Sequence, residues 1–230
     1  MKLRLQLMQK ALGQRFNWPA LALTARILAG GQSTLMIPHL EAPSLANLDL
    51  EALKRAGITG LVLDKDNTPT RPYEPRPEPE QAEALARATA LFGAQRVVLL
   101  SNSAGGPDDL GYEEADALER SLGIPVLRHA QRKPRCLDSV TAHFGVADCS
   151  SLAMVGDRYL TDVSFGNLHG MLTVRSSPLT MSGEPLVVRC ARFVERWLAR
   201  LLRARGVRAP HHVLERHLRL ATPRAAPCVR

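Results

Sequence analysis

Apolar residues gather in five short runs along the chain, at 60–63, 96–100, 124–127, 151–155 and 171–174. Runs that are continuously apolar, with no alternation, suit strands covered on both faces of a parallel sheet. The stretches between them carry helical patterns. Residues 78–92 are rich in Ala, Leu and Glu, and 112–122 and 135–144 also read as helices, with Gly123 and Gly145 as stops. The alternation predicts an α/β fold, a doubly wound (Rossmann-like) parallel sheet flanked by helices, with its site at the carboxyl ends of the strands.

Polar residues cluster at those ends. The first run closes on Asp64-Lys65-Asp66-Asn67-Thr68, the second on Ser101-Asn102-Ser103, and the fourth on Gly156-Asp157, with Asp162 following. Lys133 precedes the helix that leads into the fourth run. Side chains two apart on an extended backbone share a side, so Asp64 and Asp66 can face one reacting phosphorus. Carboxylates that close repel unless one is protonated or a cation sits between them, and Mg²⁺ prefers such oxygen ligands. Each cluster taken alone also fits an acidic turn, an N-cap or a solvated loop charge. Their joint order along the chain is what favours a site.

At 230 residues the chain has room for one well-buried core plus extensions. A net charge of +8 and a pI near 9.9 attract polyanions or anionic lipid surfaces. Aromatic residues make up only 4%, which argues against a base-stacking platform and hence against nucleic acid as partner. Cys136, Cys149, Cys190 and Cys228 stand far apart with no CxxC, so neither a zinc site nor a disulfide framework is written here. Residues 21–38 are apolar on average but contain Arg26, Gly30 and Gly31, and fall short of the roughly 20 clean residues that a membrane-spanning helix needs.

Three segments follow from these patterns: a basic stretch at 1–40, a catalytic domain at 41–182, and a basic helix with a mobile tail at 183–230. The first has no acidic residue before Glu41, and its opening part reads as an organelle transit peptide. In the third, residues 187–205 placed on a helix set Arg189, Arg192, Arg196, Arg200 and Arg203 in one stripe, with Val187, Ala191, Val194, Leu198, Leu201 and Leu202 opposite. That pattern fits either a membrane-surface helix or a domain helix with a solvated arginine face, and exposure of Trp197 would favour the membrane. His211, His212 and His217 in the tail are expected to be solvated and not metal ligands.

Asp64-x-Asp66-x-Thr68, Ser101, Lys133 and Gly156-Asp157-x-x-x-x-Asp162 together resemble the four motifs of the haloacid dehalogenase-like phosphatases. The wording LDKDNT, SNSAGG, IPVLRH and VGDRYLTD is similar to the mitochondrial and plastid phosphatidylglycerophosphate phosphatase family, from about residue 17 to about residue 179. The resemblance implies that Asp64 is the nucleophile, Asp66 the general acid and base, and Lys133 the charge balance between Asp64 and the phosphoryl group. It implies Mg²⁺ held by Asp64, the Asp66 backbone carbonyl and Asp157, with Asp162 assisting. Thr68, Ser101 and Asn102 would bind phosphoryl oxygens or fix the loop.

About 30 residues separate Thr68 from Ser101, and a similar stretch lies between Asn102 and Lys133, which leaves no room for a sizeable cap domain. An open mouth suits a phospholipid headgroup at a membrane surface, with the protein peripheral in a mitochondrion or plastid. Pro69 departs from the family, which usually carries an apolar residue such as leucine there, and puts the local flap geometry in question. Two rival readings remain: a phosphatase of soluble phosphomonoesters or phosphoprotein, and a non-enzymatic basic scaffold for anionic lipid or nucleic acid.

Overall fold

The structure, a computed structural model, describes residues 31–72 and 74–215. The expected transit segment at the start of the chain, His217 and Cys228 lie outside the described residues. The chain forms β1 (Leu40–Ala42), α1 (Leu50–Ala56), β2 (Gly60–Leu63), α2 (Pro79–Phe92), β3 (Val97–Leu99), α3 (Glu113–Leu122), α4 (Leu137–Phe144), β4 (Leu152–Gly156), α5 (Ser164–Leu168), β5 (Leu172–Ser176) and α6 (Leu186–Ala204). All strand pairs are parallel, in the order β1-β5-β4-β2-β3. From β2 the chain moves outward to β3, then returns to the other side of β2 as β4. The crevice of a doubly wound sheet opens at such a reversal, between the carboxyl ends of β2 and β4.

Successive strand residues feed opposite layers. Leu61, Leu63, Leu99, Val155 and Val174 pack with Leu53 of α1, Leu85 and Phe92 of α2 and Leu118 of α3. Val62, Val98, Met154 and Phe165 join Val140 and Phe144 of α4 on the other face. This two-sided cover explains why the strands read as unbroken apolar runs. Helix ends follow local chemistry: Asp49 caps α1 through the Ala52 amide at 2.7 Å, and Gly57 closes it at φ 107°.

Three expectations change. The run at 124–127 is an isolated bridge between Val126 and Leu99, because it lies at the sheet edge and Pro125 offers a carbonyl but no amide donor. Strand β1, flanked by Pro38 and Pro43, adds an edge that its short sequence did not announce. Residues 206–215, expected to be mobile, pack against the core instead. The His39 ring takes the Thr173 amide on Nδ1 and donates from Nε2 to the Pro210 carbonyl at 2.9 Å, with buried His212 edge-on at 5.2 Å. Burial lowers the His39 pKa to about 4, which matches a neutral ring making those two bonds.

Helix α6 rests on a third apolar cluster, in which its Leu198, Ala199 and Leu202 meet Leu35, Met36, Ile37, Tyr159 and Val163. The boundary expected after residue 182 is therefore crossed by close packing. No described helix is long and apolar enough to cross a membrane.

Candidate active site

Asp64 follows β2, and its amide still bonds the Val155 carbonyl at 2.8 Å, so the carboxylate leaves the sheet from a fixed backbone. Beyond it the chain reverses through Asn67 at φ 63°, a conformation asparagine tolerates better than most residues. The Asn67 amide bonds Thr70 O and the Thr70 amide bonds Lys65 O. Pro69 lies between those donors, so its missing amide removes no bond from the turn, and the flap closes through a bridge between Thr70 and Pro77.

Asp157 and Asp162 arrive from the end of β4. A π-helical turn at Tyr159–Val163, with the Val163 amide on Arg158 O, brings Asp162 back over the strand. A Cβ at Gly156 would stand 2.5 Å from the Asp162 side chain, so only glycine permits this approach. Asp162 Oδ2 then accepts the Arg158 amide at 3.0 Å.

Lys133 completes the cluster from the loop before α4. Its fully buried Nζ lies 2.5 Å from Asp64 Oδ1 and 2.6 Å from Asp162 Oδ1. Asp64, Asp157 and Asp162 each place a carboxylate oxygen within 4.8 Å of the others. Burial, and then the Asp162 charge, push the Asp64 pKa up to about 7 against the pull of Lys133. Burial likewise raises Asp157 to about 8, opposed by Arg192. Lys133 is held above the ordinary lysine value because its two carboxylates outweigh its burial.

A cation fits this arrangement. Asp157 Oδ1 is buried without a hydrogen-bond partner, the donors are all oxygen, and three carboxylates share one ammonium and one guanidinium. The site could therefore hold a metal ion through Asp64, Asp157 and Asp162. The Asp66 carboxylate lies outside this trio and turns to Lys65 Nζ at 2.9 Å.

The other expected residues build the walls. Ser101 is buried, with its hydroxyl 3.1 Å from that of Ser103 and its carbonyl 2.6 Å from His129 Nε2. Asn102 Oδ1 accepts the Lys133 amide at 2.9 Å and so fixes the lysine loop. The buried Thr68 hydroxyl stands 3.4 Å from that of Ser176 at the end of β5.

Sequence reasoning missed the contribution of α6. Arg192, set by its spacing in an arginine stripe expected to face a membrane surface or solvent, is buried, with Nη1 2.5 Å from Asp157 Oδ2 and Nη2 2.7 Å from Glu184. Glu184 also accepts from Asn67 Nδ2 at 2.9 Å, tying α6 to the loop after β2. One turn along, buried Glu195 holds Arg158 at 2.5 Å. The available signal was that Glu195 is the sole acid in an arginine-rich helix, three residues from Arg192.

A five-stranded parallel sheet with acidic residues at its switch crevice, and no inserted cap among the described residues, is consistent with a haloacid dehalogenase-like core. The model of the mitochondrial PGP phosphatase family matches residues 22–180, and the chain belongs to that family. It is 50% identical over 212 residues to a chloroplastic phosphatidylglycerophosphate phosphatase 1 of Chlamydomonas reinhardtii, covering 90% of this chain and 77% of the relative. It is 38% identical to the chloroplastic/mitochondrial phosphatidylglycerophosphate phosphatase 1 of Arabidopsis thaliana, covering 90% of this chain but 59% of that protein. A mitochondrial phosphatidylglycerophosphatase of Saccharomyces cerevisiae is 31% identical over 60% of this chain and 75% of its own length. No solved structure matches significantly.

Proposed function

We propose that this chain is a Mg²⁺-dependent phosphatase that hydrolyses phosphatidylglycerophosphate to phosphatidylglycerol and phosphate through an aspartyl-phosphate on Asp64. One observation carries the assignment of the nucleophile. The side chains of Lys133, Asp157 and Asp162 are about 1% exposed, whereas that of Asp64 is 13% exposed. Asp64 is thus the carboxylate in the cluster that a substrate can reach.

In this reading Asp64 attacks phosphorus as the bond to the glycerol oxygen breaks, and Asp66 gives that oxygen a proton. Asp66 then takes a proton from the water that splits the aspartyl-phosphate. Having given up its proton in the first step, Asp66 is already the base for the second, and the water's proton restores it, beside Lys65 Nζ at 2.9 Å. Lys133 draws Asp64 toward the ionised form, against burial and the Asp162 charge, and supplies positive charge where a carboxylate must approach an anionic phosphate. Thr68, Ser101 and Asn102 would fix the loops and present donors to phosphoryl oxygens. Mg²⁺, held by Asp64, Asp157, Asp162 and the Asp66 carbonyl, would supply further charge neutralisation.

The family's named members place it in a mitochondrion or plastid, and the substrate implies peripheral contact with a membrane. The test is phosphate release from vesicles carrying phosphatidylglycerophosphate with Mg²⁺. Asp64→Asn should lower the rate at least about 10³-fold. Equal rates for the two proteins would reject the proposal. Equal specificity constants for the vesicles and a soluble glycerol phosphate would favour the soluble-substrate reading.

A further inference from the structure

Helix α6 has two apolar faces and only one of them is used. Leu198, Ala199 and Leu202, with Arg192 and Glu195, point into the protein. On the opposite side Leu186 is 73% exposed, Phe193 66% and Trp197 56%, and Val187, Val194 and Cys190 are exposed with them. At 100° per residue these side chains form one continuous stripe along the outward side. A stripe of this size is unusual on a surface that faces only water.

What borders the stripe identifies its occupant. Arg189 and Arg200 are exposed and Arg196 half-buried along its flank, while the helix's single acid, Glu195, is buried against Arg158. The outward half of α6 therefore presents large apolar groups edged by cations, with no negative charge. A helix of that kind lies in the plane of an anionic bilayer, with its apolar side in the acyl boundary and its arginines among the headgroup phosphates.

The same helix reaches the site. Arg192 bonds Asp157, and Arg196 lines a small cavity together with Asp157, Tyr159 and Arg192. From these observations we infer that the outward face of α6 is the surface by which the protein docks on an anionic lipid bilayer. The inference rests on the lipid-phosphatase reading for its purpose, but the docking itself can be measured without turnover.

The test uses the full chain and two double variants, Phe193→Asp with Trp197→Asp and Arg189→Glu with Arg200→Glu. Co-sedimentation is measured with phosphatidylcholine vesicles with and without phosphatidylglycerol, alongside melting temperature and hydrolysis of para-nitrophenyl phosphate. The wild type should prefer the anionic vesicles. Both variants should lose that binding at least about ten-fold while keeping the melting temperature and the turnover of the soluble ester.

Wild-type binding retained by both variants would overturn the inference. So would a wild-type dimer made monomeric by the Asp substitutions with vesicle binding unchanged, which would assign the face to a second copy of the chain. Failure of the functional reading looks different. Vesicle binding that depends on Phe193 and Trp197, without hydrolysis of phosphatidylglycerophosphate, would uphold docking and reject that substrate. Equal hydrolysis of vesicle-borne substrate by wild type and the Asp variant would uphold the substrate and reject docking.

Discussion

Two carboxylates leave neighbouring strands at the same sheet edge and meet different cations. Asp64, after β2, is held by Lys133, which also spans to Asp162. Asp157, after β4, is held by Arg192 from a helix that follows the whole sheet. The lysine is wedged between two acids and is inseparable from the cluster. The arginine is shared with Glu184 and touches the cluster at one oxygen only. Lys133 thus belongs to the charge balance of the site itself, whereas Arg192 positions one carboxylate and links it to the C-terminal helix.

Removing each cation separates these roles. Lys133→Met leaves Asp64 and Asp162 facing each other in a buried space, which should cost about 3–5 kcal/mol of stability and at least about 10²-fold in kcat. Thermal unfolding and steady-state kinetics would read both, and a variant as active as wild type would break the comparison. Arg192→Met should be milder. Asp157 keeps its backbone but loses its orienting partner, so the Mg²⁺ needed for half-maximal rate should rise about 10–100-fold. Arg192→Lys should recover only part of that, since an ammonium keeps the charge but not the planar fork that reaches Asp157 and Glu184 together. Full recovery by lysine would mean that charge alone matters there.

The smallest effect concerns pH. Asp64 and Asp157 titrate near 7 and 8 in the folded chain, against 3.8 for the ordinary side chain. Between those values the folded protein holds protons that the unfolded chain has shed. Stability of the metal-free protein should therefore fall as pH rises from about 4 to about 8. Added Mg²⁺ should raise the melting temperature more at pH 8 than at pH 5, because at the lower pH it must displace protons. A melting temperature that climbs with pH across that window without metal would contradict the crowded-carboxylate picture.

The same contrast shows what the sequence made legible. The carboxylates, Ser101 and Lys133 could be read because each follows or precedes an apolar run, and a run's end is fixed by local pattern. Helix α6 was visible as a helix with basic and apolar sides, yet helical spacing does not say which side is buried. Arg192 therefore looked like a surface residue until packing against Glu184 and Asp157 placed it inside. Exposed Trp197 and buried Leu198 are adjacent in sequence, and only the tertiary contacts of the helix decide between them. Asn67 stayed hidden for a related reason. Its left-handed backbone is local, but its bonds to Thr180 and Glu184 span more than 100 residues.

The central claim is that Asp64 carries the phosphoryl group. Wild-type protein turning over phosphatidylglycerophosphate with Mg²⁺ can be quenched with borohydride, which reduces an aspartyl-phosphate to homoserine, and the modified residue located by mass spectrometry. The account predicts homoserine at position 64. Turnover that leaves Asp64 unmodified, or that places the label on Asp66 or Asp157, would contradict it.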